Sequence, residues 1–284
     1  MARFNQITII GLGLMGGSLG MALRRRRLAQ TVVGFSRKPS TLRRAKACGA
    51  IDAGTSDLMR AAQHADLVIL ATPVETIVPY AKRLARFMRA GGVLTDVGSS
   101  KHQIVLALER AMPRRVAFVG AHPLAGSEQR GLDAARADLF DDSLCVVTAT
   151  RRTDRRALRI IGRLWKPLVG RVIVMDPQRH DRLLAAVSHV PHVLAFCLIN
   201  AAADEALAVA PRSFLDATRV AKSNPELWDD IFLSNRSALL AAMGRFERQW
   251  RTVRHILARA DRRALRRFLK SAHAKRHALD TRDT

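Results

Sequence analysis

Cysteine, aromatic and acidic residues are all scarce in this 284-residue chain, and each shortage closes off a class of explanation. The three cysteines, Cys48, Cys145 and Cys197, are odd in number and far apart, which offers neither a zinc site nor a disulfide framework. No metal site is expected, and this usage suits a reducing, cytoplasmic setting. Aromatic residues make up 5% of the chain, with no interleaving of rings and basic residues that would stack nucleic-acid bases. Acidic residues number 24 against 48 Lys and Arg, a formal charge of +24. Such a balance attracts nucleic acid in general. Here arginine is spread along the whole chain, densest from Arg236 to Thr284, where 14 Lys/Arg stand against 4 Asp/Glu for a net of +10. Many of these residues take the outer positions of predicted helices, as a solvated charged face does. Specific nucleic-acid binding is therefore not expected, whereas an anionic substrate or cofactor would be drawn to such a surface. Long apolar runs are missing too. Asn5 and Gln6 interrupt the N-terminal one, so no signal peptide is expected. The most apolar later stretch, Val187 to Ala203, contains His189, Pro191, His192 and Asn200, and reads as too short and too polar for a membrane span.

What is present is a core-forming chain, 48% apolar, long enough for two domains. Its first half alternates strand and helix signals. Gln6–Ile10, Thr31–Phe35, Leu67–Ala71, Gly92–Val97 and Val116–Val119 read as buried strands, separated by helical stretches such as Ser18–Leu28 and Leu42–Ala47. Thr72-Pro73-Val74-Glu75 and Ser100-Lys-His-Gln103 read as helix caps. Leu144–Ala149 and Arg171–Met175 add strands around a helix near Arg155–Leu168, and from Asp181 the pattern is helical almost to the end. The expected fold is α/β: a Rossmann-type, doubly wound parallel sheet over residues 1–175, then an all-helical domain over residues 176–284.

The first strand runs into Gly11-Leu12-Gly13-Leu14-Met15-Gly16, a G-x-G-x-x-G turn that opens a helix. Gly11 permits the tight turn, Gly13 lets the backbone approach a pyrophosphate, and Gly16 allows close helix–strand packing. The helix N-terminus supplies amides and a favourable dipole. With Thr72 and Pro73 ending another strand beside it, this reads as a dinucleotide site. An acidic residue for the ribose hydroxyls is expected about 20 residues on when the dinucleotide is NAD. The chain has Ser36-Arg37-Lys38 there, which suits a 2′-phosphate, so NADP is expected over NAD.

Ser99, in Asp96-Val-Gly98-Ser99-Ser100-Lys101, and His122, in a small-residue loop Gly120-Ala-His122-Pro-Leu-Ala-Gly126-Ser127-Glu128, follow successive strands. A nucleotide fold that delivers a serine and a histidine from neighbouring strand ends suggests a dehydrogenase with its own proton acceptor. Ser188-His189-Val-Pro-His192 opens the helical half: Ser188 can cap a helix, and His189 and His192 share one face. Asp216-Ala-Thr218-Arg219-Val-Ala-Lys222-Ser-Asn-Pro225-Glu-Leu-Trp228 offers an arginine suited to a carboxylate clamp. Taken singly, each has a structural alternative, a packed histidine pair or an interdomain ion pair.

In this order the motifs resemble the prephenate/arogenate dehydrogenase family of tyrosine biosynthesis over nearly the whole chain. The resemblance implies oxidative decarboxylation of a cyclohexadienyl ring, giving 4-hydroxyphenylpyruvate or tyrosine and a reduced nicotinamide cofactor. It casts His122 as the base for the ring hydroxyl and Ser99 as a hydrogen-bond partner of that histidine or of the hydroxyl. Arg219 would hold a substrate carboxylate, and Ser127, Ser188, His189, His192 and Trp228 would shape and orient the side-chain end. One departure is Pro211-Arg212-Ser213-Phe214-Leu215, where the family commonly has a glycine-rich turn with a basic residue that pairs with a glutamate at the position of Glu128.

Two other readings share parts of this pattern. A β-hydroxyacid dehydrogenase has the same two-part layout but is expected to carry a lysine-based site. A non-catalytic NADP-binding redox sensor or nucleic-acid-binding protein would have no need of Ser99 and His122 together. Finally, Val187–Ala210 is too apolar for a lone surface helix, and a second subunit covering it makes a two-fold homodimer the expected assembly.

Overall fold

In a computed structural model, which describes residues 4–127 and 129–280, an eight-stranded sheet carries the first part of the chain and helices form the rest. The strands are β1 (Phe4–Ile10), β2 (Ala29–Phe35), β3 (Ala53–Thr55), β4 (Leu67–Leu70), β5 (Gly92–Asp96), β6 (Val116–Pro123), β7 (Leu144–Thr148) and β8 (Arg171–Met175), in the spatial order 3-2-1-4-5-6-7-8. The first six run parallel, in the dinucleotide-binding order. The seventh pairs antiparallel with β6, and β8 lies parallel to β7, so the sheet is mainly rather than wholly parallel.

Alternation along the central strands explains the near-continuous apolar runs. Ile7, Ile9, Leu67 and Ile69 face one core; Ile10, Val68 and Leu70 face the other. Helices α1 (Leu14–Arg25), α2 (Pro39–Ala47), α3 (Leu58–Ala62), α4 (Val74–Leu84), α5 (His102–Ala111) and α6 (Arg155–Trp165) cover the two faces. Strand β3 escaped detection because its residues Ala-Gly-Thr have no apolar alternation and lie at the sheet edge.

The helical part begins with α7 (Pro177–Leu184), which continues through one π turn, Ala185–His189, into α8 (Val190–Ala201). The result is a single 25-residue helix, Pro177–Ala201, long and apolar enough to cross a membrane by length and composition. Ser188, expected as a possible helix cap, instead lies inside the π turn, and its carbonyl accepts a bond from His192 Nδ1 at 2.9 Å. Beyond it come α9 (Asp204–Ala208), α10 (Arg212–Thr218), a 3₁₀ turn at Arg219–Lys222, α11 (Pro225–Ser234), α12 (Arg236–Ala258) and α13 (Arg262–Asp280). Leu239 and Ala242 of α12 pack on Ala185 and Val190 at the π turn.

Two local caps differ from expectation for one shared reason. Pro73, not Thr72, precedes the first turn of α4, and Lys101, not Ser100, precedes that of α5. Their first amides are met by carboxylates from the helical part. Asp230 of α11 accepts from Glu75 N at 3.1 Å, while Asp181 of α7 accepts from Lys101 N at 2.7 Å and His102 N at 2.9 Å. A carboxylate serves a helix N-terminus equally well from a distant element, and no local motif can announce it.

Candidate active site

The strand ends bring the sequence-flagged residues to the carboxyl edge of the sheet, where open α/β folds bind ligands. Gly11 follows β1 with φ +95°, and a Cβ there would lie 2.6 Å from the Ala71 carbonyl oxygen. At Gly16 a Cβ would sit 1.9 Å from the Gly11 carbonyl oxygen, so the turn between β1 and α1 closes only with glycine. At Gly13 a Cβ would meet nothing within 4 Å, which leaves an open backbone face at the N-terminus of α1. This cradle fits a pyrophosphate, with Leu12, Leu14 and Met15 completing the turn. Thr72 Oγ1, across the turn, is buried without a protein partner. Ser36, Arg37 and Lys38 follow β2, with Arg37 and Lys38 exposed and Ser36 Oγ accepting from Lys38 N at 3.2 Å.

A second cavity, of about 680 Å³, is lined by Ser99, His122, Ser127, Ser188, His189, His192, Arg219 and Trp228. Residues scattered over four motifs therefore share one space between the sheet edge and the helices. His122 is not in a loop: it extends β6 and stands opposite Val146 of β7. The strand changes partners at this point, from β5 (up to Gly120 against Asp96) to β7 (from Ala121), and the added pairing holds the histidine on rigid backbone. Glu128 lies outside the described residues, while Arg212 of the departing turn is exposed beside Asp216 at 3.4 Å.

The cavity floor is a buried polar network. His122 Nδ1 lies 2.9 Å from His180 Nε2, and His180 Nδ1 lies 2.8 Å from Asp181 Oδ1. His180 is fully buried and Asp181 nearly so. Beneath them Lys101 Nζ pairs with Asp96, both fully buried, and Asp96 also accepts from Gly98 N at 2.9 Å. Burial raises the Asp96 carboxyl, and Lys101 opposes that rise. Burial holds the His122 imidazole well below its ordinary range, and His180, Lys101 and His189 push the same way. Burial likewise lowers His180, although Asp181 favours its cation. The ring that faces the cavity is thus a neutral acceptor at ordinary pH.

On the opposite wall His192 stacks on Trp228 with centroids 3.5 Å apart and planes at 24°, and His189 meets the same indole edge-on at 6.0 Å. Asn235 Nδ2 donates to the Asp181 carbonyl at 2.9 Å and faces His189 Nδ1 at 3.2 Å. An amide donor at Nδ1 leaves His189 its proton at Nε2, so it can donate to a ligand. His192 donates from Nδ1 to the Ser188 carbonyl, which leaves its Nε2 as an acceptor. Burial pushes His189 down to about 4, and lowers His192. Arg219, at the exposed start of the 3₁₀ turn, is a fixed cation at the cavity wall. Among the described residues no group of three or more His, Cys, Asp or Glu is placed to hold a metal ion.

Sequence reading missed His180, Asp181, Lys101, Asp96 and Asn235. One signal was available. The buried positions of α7 are Pro177, His180, Asp181 and Leu184, the i, i+3, i+4, i+7 stripe that normally carries apolar residues. Two polar side chains on that stripe mark a buried network.

Comparison with known proteins shows the family. Residues 19–174 match the family model described as prephenate dehydrogenase, nucleotide-binding domain, and residues 176–271 the one described as prephenate dehydrogenase, dimerization domain. The cyclohexadienyl dehydrogenase of Zymomonas mobilis is 34% identical, over 99% of this chain and 98% of that protein. Prephenate dehydrogenase from Aquifex aeolicus, solved with hydroxyphenyl propionate and NAD+, superposes with a TM-score of 0.91 at 32% identity, covering 98% of this chain and 99% of the other. Arogenate dehydrogenase from Synechocystis follows with a TM-score of 0.84 at 29% identity over 96% and 99%.

Proposed function

The chain belongs to the prephenate dehydrogenase family, and from that premise we propose that it converts prephenate, arogenate or both to 4-hydroxyphenylpyruvate or tyrosine, with NADP as the preferred cofactor. The observation that carries the reading is the single cavity joining His122 and Ser99 from the sheet to His189, His192, Arg219 and Trp228 from the helices. Ser99 and His122 reach it from the same carboxyl edge of the sheet that carries the glycine turn after β1. Residues 1–175 then hold the cofactor and residues 176–284 supply the substrate wall.

The chemistry follows from the charges. The substrate is a ring with a hydroxyl at one carbon and a carboxylate at the carbon opposite. Arg219 pairs with a carboxylate, a charge-assisted contact present in ground and transition states alike. The Trp228 and His192 stack supplies a flat apolar face, and His189 and Ser127 offer polar contacts near the side-chain end. His122, neutral at working pH, accepts the hydroxyl proton as the carbinol carbon is oxidised. Ser99, on the same wall, can steady the hydroxyl. The bound nicotinamide serves as hydride acceptor. Loss of carbon dioxide makes the ring aromatic, so the protein's main task is to hold ring and cofactor in register.

Two features support the finer assignments. Ser36, Arg37 and Lys38 stand where a carboxylate would repel a 2′-phosphate, which favours NADP. Val187 is 73% exposed, Leu198 47% and Leu240 53%, apolar side chains of the helical part that a second copy would bury, consistent with a homodimer built on that part; a monomeric mass by light scattering at micromolar concentration would refute that assembly. The reaction itself is tested by following reduced nicotinamide at its absorbance band with prephenate and with arogenate, each with NADP and with NAD. Turnover with at least one pair is expected; folded protein inactive with all four would overturn the proposal.

A further inference from the structure

The base reading of His122 leaves open which of its nitrogens is free to take the proton, and the buried network beneath it answers that. The Asp181 carboxylate is an acceptor, already receiving Lys101 N at 2.7 Å and His102 N at 2.9 Å. The His180 nitrogen 2.8 Å from it, Nδ1, must therefore carry a proton and donate. A neutral His180 then has a bare Nε2, and the group facing that nitrogen at 2.9 Å is His122 Nδ1. A hydrogen bond forms there only if His122 holds its proton on Nδ1. The remaining nitrogen, Nε2, is left as the acceptor.

We propose that Asp181 and His180 are positioning residues that fix His122 in its Nδ1–H tautomer and carry the reaction's positive charge away from the cofactor. The steps balance as follows. The substrate O–H bond breaks and its proton joins His122 Nε2. The O–H electron pair becomes the new C=O bond as the hydride leaves the same carbon. His122 Nδ1–H is then passed to His180 Nε2, while His180 Nδ1–H stays on Asp181. His122 is neutral again, and the cation sits on His180 in contact with a carboxylate. When the bond from the ring to the departing carboxylate breaks, its electron pair enters the ring, the carbonyl pair returns to oxygen, and the proton comes back along the same path to make the phenolic hydroxyl. Burial disfavours a cation on either ring, but Lys101 and His189 add to that at His122, whereas at His180 Asp181 and Asp96 oppose it and only Lys101 among the charged groups adds to it. Each ring acts through a fixed neighbour, the arrangement that orients a catalytic imidazole through its second nitrogen.

The inference rests on His122 being the base, but its first test does not use activity. In full-length protein labelled with ¹⁵N-histidine, without substrate, His122 should show a protonated Nδ1 and an unprotonated Nε2, the tautomer less favoured by a free histidine side chain. A protonated Nε2 would overturn the proposal even if His122→Asn is inactive. The second test separates relay from packing. His180→Gln keeps a carbonyl acceptor for His122 Nδ1–H but cannot relay a proton, whereas His180→Leu offers no acceptor. His180→Leu should lower kcat by about 10² or more, the scale of a mispositioned acid–base group, with KM within a few-fold and the His122 nitrogen shifts changed. His180→Gln should retain the tautomer and regain part of kcat. Equal kcat in the two variants, or unchanged nitrogen shifts in His180→Leu, would assign His180 to packing. If His180→Leu does not fold, the wild-type tautomer and the kcat of His180→Gln still decide.

Discussion

Replacing His122 with asparagine removes the proposed base while leaving its support in place. His122 is 9% exposed and anchored by pairing of β6 with β7, so the backbone has little reason to move. The asparagine amide can still donate toward His180, so the network below keeps a partner, but the second ring nitrogen is gone. A positioned acid or base contributes about 10²–10⁴ in rate, or about 3–5 kcal/mol of barrier. We expect kcat to fall by that factor with little change in KM, because the carboxylate clamp is on Arg219. The pH profile should change in a definite sense. The base must be neutral to work, and burial holds His122 well below the ordinary 6.5. In the wild type kcat/KM should therefore stay level as pH falls through 6.5 and decline only in more acid solution. The variant should lack that limb. Steady-state rates from about pH 5 to 9 would measure both. Activity within a few-fold of wild type across the range, or a wild-type limb centred at or above 6.5, would refute the assignment.

Arg219→Ala should raise KM strongly, since the lost contact operates in ground and transition states together; an unchanged KM would make Arg219 structural. For the cofactor, one charge-assisted contact of about 1.5–3 kcal/mol corresponds to about 10- to 150-fold in kcat/KM, and screening at the exposed Arg37 keeps the NADP preference near the low end. Ser36→Asp should reverse it, and a wild type that already prefers NAD would contradict the reading. Stability should also depend on pH through His189, whose pKa burial lowers to about 4 from 6.5. Below pH 6.5 the unfolded chain binds a proton that the native state refuses, so stability is full above 6.5 and declines toward pH 4 by up to about 3 kcal/mol. Urea midpoints against pH should fall less steeply in His189→Gln; parallel curves would remove His189 as the cause.

Much of the fold was legible because parallel strands are buried on both faces, so Ile7–Ile10, broken only by the buried Thr8, and Leu67–Leu70 stand out as near-continuous apolar runs. The glycine turn was legible because part of its demand is local: Gly11 has φ +95°, and a side chain at Gly16 would meet the Gly11 carbonyl within the turn, although the atoms nearest a side chain at Gly11 belong to Ala71 and Thr72 at the end of another strand. The cavity residues were legible as motifs, not as a geometry. What stayed hidden is what one element does for another. Asp230 and Asp181 cap helices that lie far from them in sequence, β7 draws His122 out of a loop into a strand, and His180 reaches its partner across 58 residues. None of these has a local signature beyond the polar pair on the inward stripe of α7. Ser188 read as a possible cap for a related reason: Pro191 suits the first turn of a helix, whereas the π turn before it absorbs the missing donor within a continuous one.

The central claim is that this cavity couples hydride removal to loss of the ring carboxylate. The most direct measurement uses prephenate or arogenate labelled at the ring carboxylate, with released carbon dioxide and reduced nicotinamide counted in the same reaction. Label should appear as carbon dioxide mole for mole with reduced cofactor, and both should fall together in His122→Asn. Cofactor reduction without release of label would contradict the account.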